Sequence, residues 1–126
     1  MLGNSPPFSG FSVDDIDAAR MFYRNILGLT VTDNEMGFLD LHLAGGARVM
    51  VYSKPDHVPA TYTVLNFPVA DIDAAVDEMA AAGVTFTAYP GLTDEKGIAR
   101  ACEPSLGRGI AWFTDPAGNV MSVLVE

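Results

Sequence analysis

Few side chains in this chain can do imidazole or thiol chemistry. Its 126 residues include two histidines, His42 and His57, and one cysteine, Cys102. His42 stands two positions after Asp40 in the strictly alternating run Phe38-Leu39-Asp40-Leu41-His42-Leu43. Residues two apart in a strand share a face, so the pair has the arrangement of a general base tuned by a carboxylate. The competing reading is a half-exposed histidine in an ordinary hydrogen bond, because no nucleophile or oxyanion donor is identifiable nearby. A metal site on Asp40 and His42 lacks a third ligand among the visible candidates, since His57 falls in a linker. Cys102 lies between Arg100 and Arg108, which would lower its thiol pKa if the loop gathered them; a plain loop cysteine is the alternative. No paired-carboxylate, phosphate-loop or nucleophile-elbow pattern occurs.

The elements that must position these residues are written twice. Val13-Asp14-Asp15-Ile16-Asp17-Ala18-Ala19 runs on to Gly28, and Val69-Ala70-Asp71-Ile72-Asp73-Ala74-Ala75 runs on to Gly83. Each copy has an aspartate at the N-cap, an acid in the first turn, apolar residues at helical spacing and a closing glycine. In the first copy the apolar stripe takes Ile16, Ala19, Phe22 or Tyr23, and Ile26. Strands are expected over residues 8–13, 28–33, 38–43 and 48–52, then 61–67, 84–88, 109–114 and 119–125. The chain therefore reads as two modules, about 8–52 and about 61–126, joined by a linker over 53–60. The helices are offset by 56 residues, from Asp15 to Asp71, and the closing hairpins by 72, from Gly46 to Gly118. The surplus falls in a long loop over 89–108, and loops of that length in a compact domain are usually functional.

Composition bounds the rest. Hydrophobic residues make up 49% of the chain, which suits one domain with a core and argues against disorder. No apolar run is long enough to span a bilayer, and the first seven residues lack the features of a signal peptide. A lone cysteine fits a reducing cytoplasm. The net charge of −9 repels nucleic-acid phosphates and anionic membranes and favours a cationic ligand, though such a balance also serves solubility.

The duplicated β-α-β-β-β unit resembles the vicinal oxygen chelate superfamily, which includes glyoxalase I, bleomycin resistance proteins and extradiol dioxygenases. The stretches that carry the resemblance are Asp15 to Tyr23 with Asn25-Ile26-Leu27-Gly28-Leu29, Asp71 to Gly83, and Phe113-Thr114-Asp115-Pro116-Ala117-Gly118-Asn119. It implies an α+β fold in which two tandem modules form a curved mixed sheet around a cup, and it implies a homodimer. In metal-dependent members four His or Glu residues in the cup hold a divalent ion. Those positions match Phe8, Met50, Val64 and Ser122, which repeat at the same offsets of 56 and 72. None supplies an imidazole or a carboxylate, so the resemblance implies a member with no metal at the usual site and no cofactor.

With those four positions facing inward, strand alternation lines the cup with Phe38, Asp40, His42, Arg48, Tyr52, Tyr62, Asn66 and Trp112. The opposite faces are apolar almost throughout and form the layer against the helices. Phe8, Phe38, Met50, Tyr52, Tyr62, Asn66, Trp112 and Ser122 are thus the candidate ligand-binding residues. The aromatics can stack on a flat molecule, with Trp112 foremost, or can fill the cup or meet a second subunit. Asn66 can orient a ligand or satisfy backbone groups. Three functions follow: metal-independent binding of a small organic molecule, including sequestration of a cationic or aromatic antibiotic; a metal-free lyase or isomerase with His42 as base; and an accessory domain whose cup is closed by its own side chains.

Overall fold

The computed structural model describes residues 1–100 and 108–126. Cys102 lies outside the described residues. The chain divides into two compact units, Met1–Val58 and Pro59–Glu126.

In the first unit, β1 (Ser9–Val13) is followed by α1 (Ile16–Met21), a π-helical turn (Phe22–Ile26), β2 (Thr30–Asp33), β3 (Leu39–His42) and β4 (Arg48–Ser53). The sheet order is β1-β4-β3-β2, with β1 parallel to β4 and the other pairs antiparallel. The Asp15 carboxylate accepts hydrogen bonds from the backbone N–H groups of Asp17 and Ala18, so the expected cap forms. The sequence leaves open whether Phe22 or Tyr23 belongs to the apolar stripe. The π turn answers by burying both, at 7% and 0% exposure. The extra residue per turn lets neighbouring positions share the inward face, where the two rings meet edge to face at 5.2 Å.

The second unit repeats the plan. Its elements are β5 (Thr63–Pro68), α2 (Ile72–Ala81), β6 (Ile98–Arg100), β7 (Gly109–Thr114) and β8 (Val120–Val125), in the sheet order β5-β8-β7-β6. Asp71 caps α2 through the Ala74 N–H. The hairpin between β7 and β8 is closed by buried Asp115, whose carboxylate accepts from the backbone N–H groups of Ala117 and Asn119 and from the Asn119 side chain.

Each sheet has one apolar face, which carries Val13, Leu39, Leu41, Val49 and Val51 in the first unit and Ala111, Phe113, Met121 and Val123 in the second, all buried. α1 lies against β4, and α2 against β7 and β8. Burying these side chains supplies the main driving force for each layer, about 1.5–3 kcal/mol for each large residue.

Two expectations are corrected. Residues 84–88 form no strand; they touch β7 through a single bridge, Phe86 to Phe113, and through Thr87 N–H donating to Trp112 O at 2.8 Å. The rest of that edge is taken by β6, which pairs Ile98, Ala99 and Arg100 with Ala111, Ile110 and Gly109. The stretch read as one long loop therefore contains the edge strand. Two segments share the edge of β7, and the alternating pattern of 84–88 gives no sign of how many pairing positions are open to it.

Candidate functional site

Strand register decides which candidate residues meet. In the first unit Asp40 lies between Thr32 and Met50, and Met50 lies beside Gly10. In the neighbouring rows His42 pairs with Arg48, and Tyr52 with Ser12. Alternation puts Asp40, His42, Arg48, Met50 and Tyr52 on the face away from α1. The structure thus brings Asp40, His42, Met50 and Tyr52 onto one surface, with Phe38 touching Tyr52 edge to face at 6.4 Å. Phe8, just before β1, is half exposed and lies under the Arg48 guanidinium, whose central carbon is 3.8 Å from the ring centroid.

The Asp40 carboxylate points to Arg48. Its Oδ1 is buried, 3.6 Å from Arg48 Nη1, and has no hydrogen-bond partner among the described residues. His42 is exposed, and its Nε2 is 2.8 Å from the Thr32 hydroxyl. Asp40 and His42 share a face, but each turns to a neighbour on an adjacent strand. His57 is 2.7 Å from the Ser12 hydroxyl through Nδ1, so the linker folds back onto β1.

In the second unit Asn66, Ser122 and Trp112 form one cross-strand row. Ser122 is fully buried and donates its hydroxyl proton to Asn66 Oδ1 at 2.5 Å. Trp112 stands next to a cavity of about 200 Å³ lined by Thr61, Tyr62, Thr63, Tyr89, Leu92 and Val120 as well as its own ring. Tyr89 meets Trp112 edge to face, with centroids 5.3 Å apart at 83°. Among the described residues no charged side chain lines the cavity. Phe38, Met50 and Tyr52 belong to the first unit and Tyr62, Asn66, Trp112 and Ser122 to the second.

Sequence reasoning did not single out Tyr89, Leu92 and Arg48 as site residues. Tyr89 and Leu92 sit in the stretch read as loop, which has no periodicity to orient them. Arg48 was legible only through its place two residues before Met50 in an alternating strand.

The four positions of the usual metal site do not fit a divalent ion. Phe8 offers a ring, Met50 a soft thioether and Val64 no donor, and the Ser122 hydroxyl is committed to Asn66. Val64 also falls where the β5–β8 register shifts, between Thr63 and Leu65. Among the described residues no three His, Cys, Asp or Glu side chains gather.

Beyond the site itself, a tie holds the segment bearing β6 to α2. Asp73 receives Arg100 at 2.8 Å and Lys96 at 2.9 Å; Lys96 also reaches Asp77, and Arg100 reaches Asp94. Hydrogen bonds from Arg100, and then from Lys96, hold the Asp73 carboxyl well below the usual carboxylate range.

Comparison with known proteins agrees with this architecture. Residues 9–123 match the family model described as Glyoxalase/Bleomycin resistance protein/Dioxygenase superfamily. Among solved structures, a member of that superfamily from Sphaerobacter thermophilus is 25% identical, with a TM-score of 0.65 over 95% of this chain and 97% of that one. The fosfomycin resistance protein FosX from Listeria monocytogenes is 13% identical, with a TM-score of 0.73 over 98% and 93%. An integron cassette protein from the mobile metagenome of V. cholerae is 20% identical, with a TM-score of 0.64 over 94% of each chain. No curated protein matches. No helix among the described residues is long and apolar enough to cross a membrane. The match over nearly the whole chain, together with the repeated strand order of the two sheets, places this chain in the Glyoxalase/Bleomycin resistance protein/Dioxygenase superfamily.

Proposed function

We propose that this protein binds a small organic molecule with a planar ring, without a metal, and that Trp112 is the principal contact. The observation that carries this reading is the cavity of about 200 Å³ walled by Tyr62, Tyr89, Trp112 and Leu92. Thr61 and Thr63 also line it and are the residues with hydroxyls to orient a ligand. Apolar walls with few polar groups are the usual lining of ligand pockets, and about 200 Å³, below the range of drug-sized sites, suits one small ring system. A net charge of −9 raises the local concentration of cations, so a flat cationic compound is the favoured class. Sequestration of such a compound, as in antibiotic resistance, is the role this reading supports. The similarity to FosX, a fosfomycin resistance protein, bears on the fold and leaves the ligand to this chain's own residues.

Trp112 is the chain's only tryptophan, so intrinsic fluorescence reports on the pocket directly. Titration with N-methylquinolinium, a planar cation, is expected to give a saturable change that Tyr89→Ala weakens. A purely linear, collisional response in both proteins would remove the proposal. The resemblance also supports a homodimer, and the lone cysteine supports a reducing cytoplasm. Native mass spectrometry after gentle purification reads subunit count, bound metal and retained ligand together, and a stoichiometric divalent metal would overturn metal independence.

A further inference from the structure

We infer that the Trp112 cavity is an aromatic cage for a fully alkylated ammonium group, carried by a small free cation. This rests on the reading of that cavity as a ligand pocket and names the group it recognises. Three of the large apolar side chains exposed among the described residues, Tyr62, Tyr89 and Leu92, gather at this one cavity. Tyr62 is the most open of them, at 71% exposure. Apolar residues scattered singly over a surface are ordinary, whereas a contiguous group around a concavity marks a place where something docks. The planes of Tyr89 and Trp112 stand at 83° with centroids 5.3 Å apart, so two ring faces meet at nearly a right angle. Tyr62 lines the same space as a third ring. The face of an aromatic ring is the negative part of its quadrupole, and several rings around one small space attract a cation without any carboxylate.

The polar lining decides between kinds of cation. Thr61, Tyr62, Thr63 and Tyr89 carry neutral hydroxyls, Trp112 a neutral indole N–H, and no carboxylate lines the space among the described residues. A primary ammonium has three N–H donors, which lose water on entry and meet no charged acceptor here. A fully alkylated nitrogen has no N–H to satisfy, and its alkyl groups bury apolar surface against the rings, Leu92 and Val120. Anions are disfavoured twice. Lys96 and Arg100, the cations that follow Tyr89 and Leu92 in the chain, are held by Asp73. The net charge of −9 repels anions and draws cations in. That charge also favours a free cation over a choline head group that bears a phosphate.

The test uses the isotope-labelled full chain, whose one tryptophan gives one indole N–H signal in the NMR spectrum. Choline, the neutral alcohol with carbon in place of the choline nitrogen, ethanolamine and phosphocholine are titrated in turn. Choline is expected to shift the signal saturably. The neutral alcohol and ethanolamine are each expected to bind at least about tenfold more weakly, and phosphocholine to bind more weakly than choline. Because Tyr62 is exposed, Tyr62→Leu is expected to keep the melting temperature and to lose most of the preference for choline over the neutral alcohol. Tyr62→Phe, which keeps the ring face, is expected to retain that preference. Equal binding of choline and the alcohol would overturn the inference by reducing the pocket to an apolar one. Ethanolamine binding as tightly as choline would overturn it by revealing an acceptor for N–H groups, and tighter binding of phosphocholine would overturn the assignment to a free cation. A saturable response to N-methylquinolinium with none to choline would remove the cage and leave the Trp112 pocket standing. No saturable response to either compound would remove both.

Discussion

Ser122 donates its hydroxyl proton to Asn66 Oδ1 at the position where the first unit places Met50 beside Gly10. The two pairs are related by the same offsets of 56 and 72 residues that relate the helices and the hairpins. The duplicated frame thus carries an apolar packing contact in one unit and a polar bond in the other. A double-mutant cycle on Ser122→Ala and Asn66→Ala should give a coupling energy of about 1 kcal/mol in urea denaturation, the usual net worth of a neutral hydrogen bond. Strict additivity would show that the bond contributes nothing to stability.

The Tyr89 ring packs against Trp112 in an edge-to-face pair. Tyr89→Ala should therefore shift the emission of the single tryptophan to the red with no ligand present, as water reaches the indole. Unchanged emission would mean that residues 89–92 do not form the pocket wall in solution, and the cavity assignment would fall with it.

Backbone geometry makes a sharper prediction at Gly97. Its φ is +87°, and a Cβ there would stand 2.8 Å from Phe86 Cβ. Gly28 has φ +71° with open space around it. Both alanine variants incur the left-handed penalty of about 1–2 kcal/mol. Only Gly97→Ala also pushes apart Phe86 and the turn into β6, so it should be clearly the more destabilising of the two in urea denaturation. Equal losses would place Phe86 farther from this turn than the structure does.

Periodicity and caps carried most of the fold. Asp15 and Asp71 cap as their spacing predicts, and alternation put Asp40, His42, Met50 and Tyr52 on one face. Alternation assigns a face but not a neighbour, so Asp40 read naturally as the partner of His42, two residues along, whereas the adjacent strand supplies Arg48. The π turn was hidden because Phe22 and Tyr23 both fit an apolar stripe and no residue type marks an extra one. The edge strand at Ile98–Arg100 was too short to show a period. For Tyr89 and Leu92, position in space comes from a turn rather than a repeat: Thr93 Oγ1 accepts from Tyr89 N–H, and Leu92 N–H donates to Tyr89 O.

The tie between α2 and the β6 segment should make stability fall in acid. The Asp73 carboxyl is held below its ordinary value by hydrogen bonds from Arg100 and Lys96. At Asp94, burial opposes ionisation, but the backbone N–H groups of Ile98 and Lys96, with Arg100, outweigh it and lower that carboxyl as well. A group whose folded pKa is depressed contributes fully above the unfolded value, about pH 3.9 for aspartate, and loses that contribution as pH falls through the lower folded value. Asp73→Asn should therefore lower the melting temperature at neutral pH, with the gap from the unaltered chain closing as pH drops below about 4. Both partners are partly exposed, so salt at about 1 M, with a screening length near 3 Å, should narrow the same gap at neutral pH. A gap constant in pH and salt would show that Asp73 acts through its place in the first turn of α2 and not through Arg100 and Lys96.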